Sequence, residues 1–218
     1  METTPAARAP AARAADGRVP GRRGRATRQR LLDETRALLG DVSFLDLKVA
    51  DIARRAGTSP ATFYQYFSDV DDVVLQLIEA MVAHGSDELR SLVTDPVWEG
   101  PEAATGLAEG FLTYFDEHDA MLRAIDIATA EGDERFFAAR VQLLNGVFLS
   151  LRELARSAQA DGRLADGLEP GAAAGVLTTM LAHVSAHRAG FESWGVQRES
   201  LAGTMATIID WTVRSHEG

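Results

Sequence analysis

The chain contains no cysteine. Disulfides, thiolate metal sites and cysteine nucleophiles are thereby excluded, and a reducing cytoplasm is the expected location. It also has no apolar run near the ~20 residues that a membrane-spanning helix needs, so no membrane partner is expected. The opening METTPAARAPAARAADGRVPGRRGRATR lacks the apolar middle segment of a secretory signal. Proline is scarce beyond Pro60, occurring only at Pro96, Pro101 and Pro170, and nothing reads as strand alternation or a hairpin turn. Catalytic signatures are missing as well: there is no nucleophile elbow, no phosphate-cradling glycine loop and no acid–base pair that stands apart from surface charge. Neither an enzyme nor a bound cofactor is expected.

What is present suits a packed protein, with 46% apolar and 25% charged residues among 218. The net charge of −10 is unevenly spread. Residues 1–67 carry twelve basic and seven acidic side chains, whereas residues 68–218 carry ten and twenty-five. A basic end that meets a polyanion and an acidic body that does not would produce this asymmetry. So would a basic disordered tail on an acidic globule.

Residues 1–25, rich in Ala, Arg, Pro and Gly, cannot bury enough surface to offset chain entropy and read as a disordered, arginine-rich arm. Helical spacing begins at Thr27 with Leu31, Leu32, Leu38 and Leu39. Val49, Ile52, Ala53 and Ala56 mark a short second helix closed by Gly57. Ser59-Pro60 is a strong start for a third, with Phe63 and Phe67 as its buried face. Asp69, Asp71 and Asp72 open a fourth, at the end where the helix dipole favours carboxylates. Beyond it, GLAEGFLTYFDEH and DAMLRAIDIATAEG read as two helices and residues 133–164 as one long one. GAAAGVLTTMLAHVSAHRAGF and RESLAGTMATIIDWTVRS supply the last two. The fold class is all-α, about nine helices: a helix-turn-helix domain over 26–72 and a larger helical domain over 73–218.

The stretch DIARRAGTSPATFYQYF, residues 51–67, is the most locally specific in the chain. A helix, a glycine turn and a capped second helix make a helix-turn-helix, whose second helix lies in the DNA major groove. Thr62 and Gln65 sit off the Phe63/Phe67 face with Tyr64 and Tyr66 on its flanks. Gln65 suits adenine and the Thr62 methyl suits thymine. The hydroxyls of Ser59, Tyr64 and Tyr66 suit phosphate.

The segment LKVADIARRAGTSPATFYQYFSDVDDVV resembles the DNA-binding domain of the TetR (tetracycline-repressor) family of transcriptional regulators, over about residues 26–78. The resemblance implies a helix-turn-helix domain joined to a helical ligand-binding and dimerisation domain. It further implies a homodimer, a palindromic double-stranded DNA operator, and repression relieved by a small effector. Thr62, Tyr64, Gln65 and Tyr66 match the family's DNA-facing positions, and Lys48 a frequent phosphate-contacting one. Two positions depart from its pattern: Ala61 stands where glycine is common, and Val70 where a phosphate-gripping lysine is usual. The arginine-rich segment (Arg18, Arg22, Arg23, Arg25, Arg28, Arg30) is then the expected source of phosphate affinity. A DNA-binding architectural protein without an effector is the alternative.

The candidate effector pocket is hydrophobic, walled by Phe111, Phe115, Ile125, Leu144, Phe148, Met180 and Trp98, with Asn145 and His183 as its polar groups. His183 and His187, four apart, have the spacing of a helical metal pair, of cavity lining or of simple interface packing, with His118 as a possible third ligand. The last two helices mix small residues with Leu, Val, Met and Ile, which permits close approach, so the dimer interface is expected there.

Overall fold

The computed structural model describes residues 21–93 and 101–214. Among them are nine α-helices, one 3-10 turn and no strand. The chain divides into two compact units, Met1–Leu77 and Ile78–Gly218.

In the first unit α1 (Arg22–Asp41) leads through a 3-10 turn (Phe44–Asp46) to α2 (Val49–Arg55) and α3 (Pro60–Phe63), and α4 (Val70–Ser91) begins there. Helix α1 starts at Arg22, so residues 22–25 are helical where a disordered arm was expected. Arg18 and the rest of that arm lie outside the described residues. Leu31, Leu39, Ile52, Ala53, Phe63, Phe67, Val73 and Val74 are buried together as the core. The turn between α2 and α3 needs its glycine. Gly57 has φ +65°, the Thr58 amide donates to the Ala53 carbonyl, and the Gly57 amide donates to that of Arg54. Ser59 then caps α3 by accepting from the Thr62 amide at 3.2 Å, with Pro60 in the first helical position. Regular α3 is one turn long, shorter than expected, and Tyr64–Tyr66 continue it as turns that reach Phe67 through Phe63.

In the second unit α5 (Pro101–Ala130), α6 (Glu134–Ala160), α7 (Pro170–Ala186), α8 (Arg188–Ser193) and α9 (Arg198–Val213) pack on one another, with α5 touching α6, α7 and α9. The two helices expected over residues 106–132 are one. Asp116, Glu117 and Asp119 face solvent, while Tyr114, Phe115, Met121 and Leu122 stay buried, so the apolar face runs on unbroken. The helix expected over 171–191 is instead two, divided at His187. There the Arg188 guanidinium turns to Asp116 on α5, 2.7 Å away, and to Glu192.

Asp133 and Glu169 cap α6 and α7. The Glu169 carboxyl lies below its ordinary range because it accepts from the Gly171 and Ala172 amides. Close helix approach is the other organising feature. The hydroxyl tip of Tyr114 on α5 lies against Gly85 of α4, and Gly146 of α6 lies against Ser86 and Arg90 of the same helix. Each contact leaves no ordinary room for a β-carbon.

Candidate functional site

The recognition surface is made by burial on one side and exposure on the other. Phe63 and Phe67, with ring centroids 5.4 Å apart, anchor α3 in the core. Their burial turns Ser59, Ala61, Tyr64 and Gln65 outward, with Thr62 and Tyr66 half-buried. Tyr64 is 53% exposed and leans edge-on against Phe63. The Thr62 and Ser59 hydroxyls are 3.1 Å apart, so the first turn presents a small polar cluster. Lys48 is exposed at the start of α2. All seven sequence-predicted residues therefore belong to this unit, and six of them to one continuous segment.

The structure sorts the arginines in a way the sequence does not reveal. Arg54 pairs with Asp51, and Arg55 pairs with both Glu34 and Asp41 on α1. The hydrogen bond to Asp41, followed by that to Glu34, holds Arg55 above its ordinary range. Arg28 folds inward. Its guanidinium lies 5.3 Å over the Phe67 ring and donates to Gln76, which in turn donates to Asp72. Burial lowers its pKa, and Asp72 opposes that shift. It serves as an internal clamp on the recognition segment, not as the phosphate contact expected of it.

A cleft opens in the second unit among α5, α6 and α7. Its inner part holds about 20 Å³, room for a single water. Around it lie Phe115, Leu122, Ile125, Leu143, Leu144 and Ala182, together with Asp126, Arg140, His183 and His187. Two wider clefts of about 220 and 490 Å³ share Phe115 and Ala186 with it and reach Asp119, Arg123, Ser185 and Arg188. The acidic groups are matched: Asp126 with Arg140, Asp119 with Arg123, and Asp116 with Arg188 and Arg198. The His183 and His187 rings stack 4.1 Å apart, and His187 Nδ1 lies 3.0 Å from the His183 carbonyl oxygen.

Of the predicted pocket residues, Phe115, Ile125, Leu144 and His183 meet at this cleft. Phe111 is fully buried and stacked on Phe115, while Phe148 is half-buried under the Arg152 guanidinium. Met180 is half-buried and away from the lining, and Trp98 lies outside the described residues. Asn145 is exposed, because Leu143 and Val147 take the buried side of α6. Asp126 and Arg140 were missed, since each reads in isolation as surface charge. His118 stacks on Tyr114 instead of joining the histidine pair, and among the described residues no cluster of three or more His, Asp or Glu could hold a metal. None of the helices there is long and apolar enough to cross a membrane.

Helices α7 and α9 contact each other and leave a second face exposed. It comprises Val176, Thr179 and His183 on α7 and Gly203, Thr204, Thr207, Ile208 and Trp211 on α9. Val176 and Trp211 are 67% and 61% exposed, a large apolar contribution for a free surface.

Known proteins share these features. Residues 31–77 match a family model described as bacterial regulatory proteins, tetR family, and residues 89–217 one described as tetracyclin repressor-like, C-terminal domain. The HTH-type transcriptional regulator EthR of Mycobacterium tuberculosis is 35% identical over 99 residues, which is 44% of this chain and 45% of that protein. The match therefore spans less than half the length of that curated relative. The transcriptional regulator FadR of Bacillus subtilis, solved in complex with stearoyl-CoA, superposes with TM-score 0.63 at 12% identity, covering 84% of this chain and 97% of that one. SmeT, repressor of a Stenotrophomonas maltophilia multidrug efflux pump, superposes with TM-score 0.60 at 19% identity over 89% and 93%. It has also been solved with triclosan. At such identities the superpositions speak for the fold alone. The helix-turn-helix unit and both family matches, the second of which covers more than half of the chain, lead to one conclusion: this protein belongs to the TetR family of transcriptional regulators.

Proposed function

We propose that the protein is a homodimeric repressor that binds a near-palindromic operator through α3 and leaves it when a small, largely hydrophobic effector enters the second unit. The observation that carries this reading is the outward face of Ser59, Tyr64 and Gln65, with Thr62 half-buried beside them, above the buried Phe63 and Phe67. Gln65 offers a bidentate donor–acceptor pair to adenine, and the hydroxyls offer phosphate contacts that set register. Lys48 adds a phosphate contact at the start of α2. The exposed apolar face of α7 and α9 supports a two-fold interface, in which each subunit contributes both helices to a four-helix contact.

The cleft supports the switch. A ligand site needs roughly 300 Å³ or more, and the enclosed part of this cleft holds about 20 Å³. An effector that occupies it must part α5 from α6 and α7. It therefore binds a different packing of these helices from the one described, as release by a ligand requires. Stearoyl-CoA in FadR and triclosan in SmeT support an apolar effector with a few polar groups. Phe115, Leu122, Ile125 and Leu144 would hold its apolar part, and His183, His187 or the Asp126–Arg140 pair its polar group.

Fluorescence anisotropy with DNA from the protein's own upstream region tests the reading. Tight, salt-sensitive binding is expected, and Gln65→Ala should cost about 1–3 kcal/mol and relax preference at one base pair per half-site. An unchanged site preference for Gln65→Ala refutes the groove assignment. A thermal-shift screen tests the effector, because an architectural DNA binder would have no stabilising small ligand.

A further inference from the structure

A buried hydroxyl on a helix ordinarily returns to the backbone, because an enclosed polar group without a partner is costly. Among the described residues three Ser or Thr side chains are buried, and two of them follow this rule. Thr35 donates to the Leu31 carbonyl and Thr178 to that of Ala174, each four residues back. Ser185, on the same helix as Thr178, does not. Its hydroxyl is enclosed and has no hydrogen-bond partner among the described residues.

Its place gives the unmade bond a use. Ser185 lines the cleft of about 490 Å³ together with Phe115, Asp116, Asp119 and Arg123 of α5. That cleft meets the enclosed apolar one at Phe115 and Ala186. An effector that parts α5 from α7 to enter the apolar part therefore uncovers the Ser185 hydroxyl. The charges around it narrow what can bind there. Three aspartates and three arginines line the clefts, and each is already paired: Asp126 with Arg140, Asp119 with Arg123, Asp116 with Arg188. No Asp or Arg side chain of the lining is left over for a charged head group. Such a group would be buried unmatched, or would strip one partner from an ion pair and leave the other alone. A neutral group that both donates and accepts meets neither cost.

We propose that the effector is an uncharged amphiphile, whose apolar tail lies among Leu122, Ile125 and Leu144 and whose neutral, amide-like head bonds the Ser185 hydroxyl. The assignment rests on the effector reading above. It makes Ser185 the residue that rewards a neutral head, and the matched ion pairs the feature that rejects an anionic or cationic one. Asp116, beside Ser185 in the cleft, and Ile125 stand nine residues apart on α5, roughly 14 Å along its axis. That reach suits a decyl chain.

Three probes that share a tail and differ in the head test this: decanamide, decanoate and decylammonium. Each is titrated into the full chain at about pH 8, where the last two carry their charge, with affinity read by calorimetry. Decanamide should bind wild type more tightly than either charged probe by about tenfold or more. Ser185→Ala should weaken decanamide by about threefold to tenfold, as for one lost hydrogen bond, and leave decanoate affinity as it was. The free Ser185→Ala chain should melt at the wild-type temperature or above it, because the hydroxyl leaves no bond behind. Decanoate or decylammonium binding as tightly as decanamide overturns the neutral head while the effector reading stands. A Ser185→Ala chain that binds decanamide like wild type, or that melts lower when free, overturns the role of Ser185. Wild type that binds none of the three overturns the effector reading instead.

Discussion

Gly85→Ala is expected to change sign with its neighbour. A β-carbon at position 85 would lie 1.8 Å from the Tyr114 hydroxyl oxygen and 2.6 Å from Cζ. Tyr114 is only 2% exposed, so its ring has nowhere to retreat. Such overpacking costs about 1–3 kcal/mol. Against it stands the helix-interior advantage of alanine over glycine, about 0.5–1 kcal/mol. The substitution should therefore destabilise the wild-type chain by about 1–2 kcal/mol. Tyr114→Leu removes the ring tip and by itself costs about 1–3 kcal/mol through poorer packing. In that background the clash has gone and only the propensity gain remains, so Gly85→Ala should stabilise by about 0.5–1 kcal/mol. Urea midpoints followed by circular dichroism on the four chains of this cycle measure both values. If Gly85→Ala raises the midpoint while Tyr114 is present, the close approach of α4 and α5 is not real.

Three other outcomes are expected. Burial, and secondarily Glu88, push the Tyr114 phenol up to about 12. The unfolded chain thus loses this proton first, near pH 10. Stability is whole below that pH and falls by up to about 2–3 kcal/mol as pH rises to the folded value; Tyr114→Phe should remove this fall in alkaline denaturation, and an identical profile would contradict it. Arg28→Ala should cost about 1–2 kcal/mol by removing the cation–π stacking and the hydrogen bond, and Arg28→Lys should recover only part of it. An Arg28→Ala midpoint equal to wild type would remove the clamp. Trp211→Asp should leave a folded monomer in sedimentation, since it places a charge in the proposed α7–α9 interface; an undiminished dimer would move the interface elsewhere.

Local chemistry made the first unit legible in the sequence. Gly57 with its positive φ, the Ser59-Pro60 start and the Phe63/Phe67 pair each act within a turn of themselves, so residues 51–67 specify the turn and the outward face of α3 without help. Helix content in the second unit was legible for the same reason, because its periodicity is intrinsic to each segment. Residues far apart in the chain decided the rest. Whether 106–132 is one helix or two depended on a continuous apolar partner surface, and just past the break at His187 the Arg188 guanidinium finds its partner in Asp116, 72 residues away. Arg28 and Arg22 are the same residue type six positions apart. One folds onto Phe67 and Gln76 while the other is left facing solvent. Asn145 and Leu144 are neighbours, yet only Leu144 reaches the cleft. A side chain carries its chemistry from the sequence, but the face of a helix that is covered is set by whichever helix packs against it.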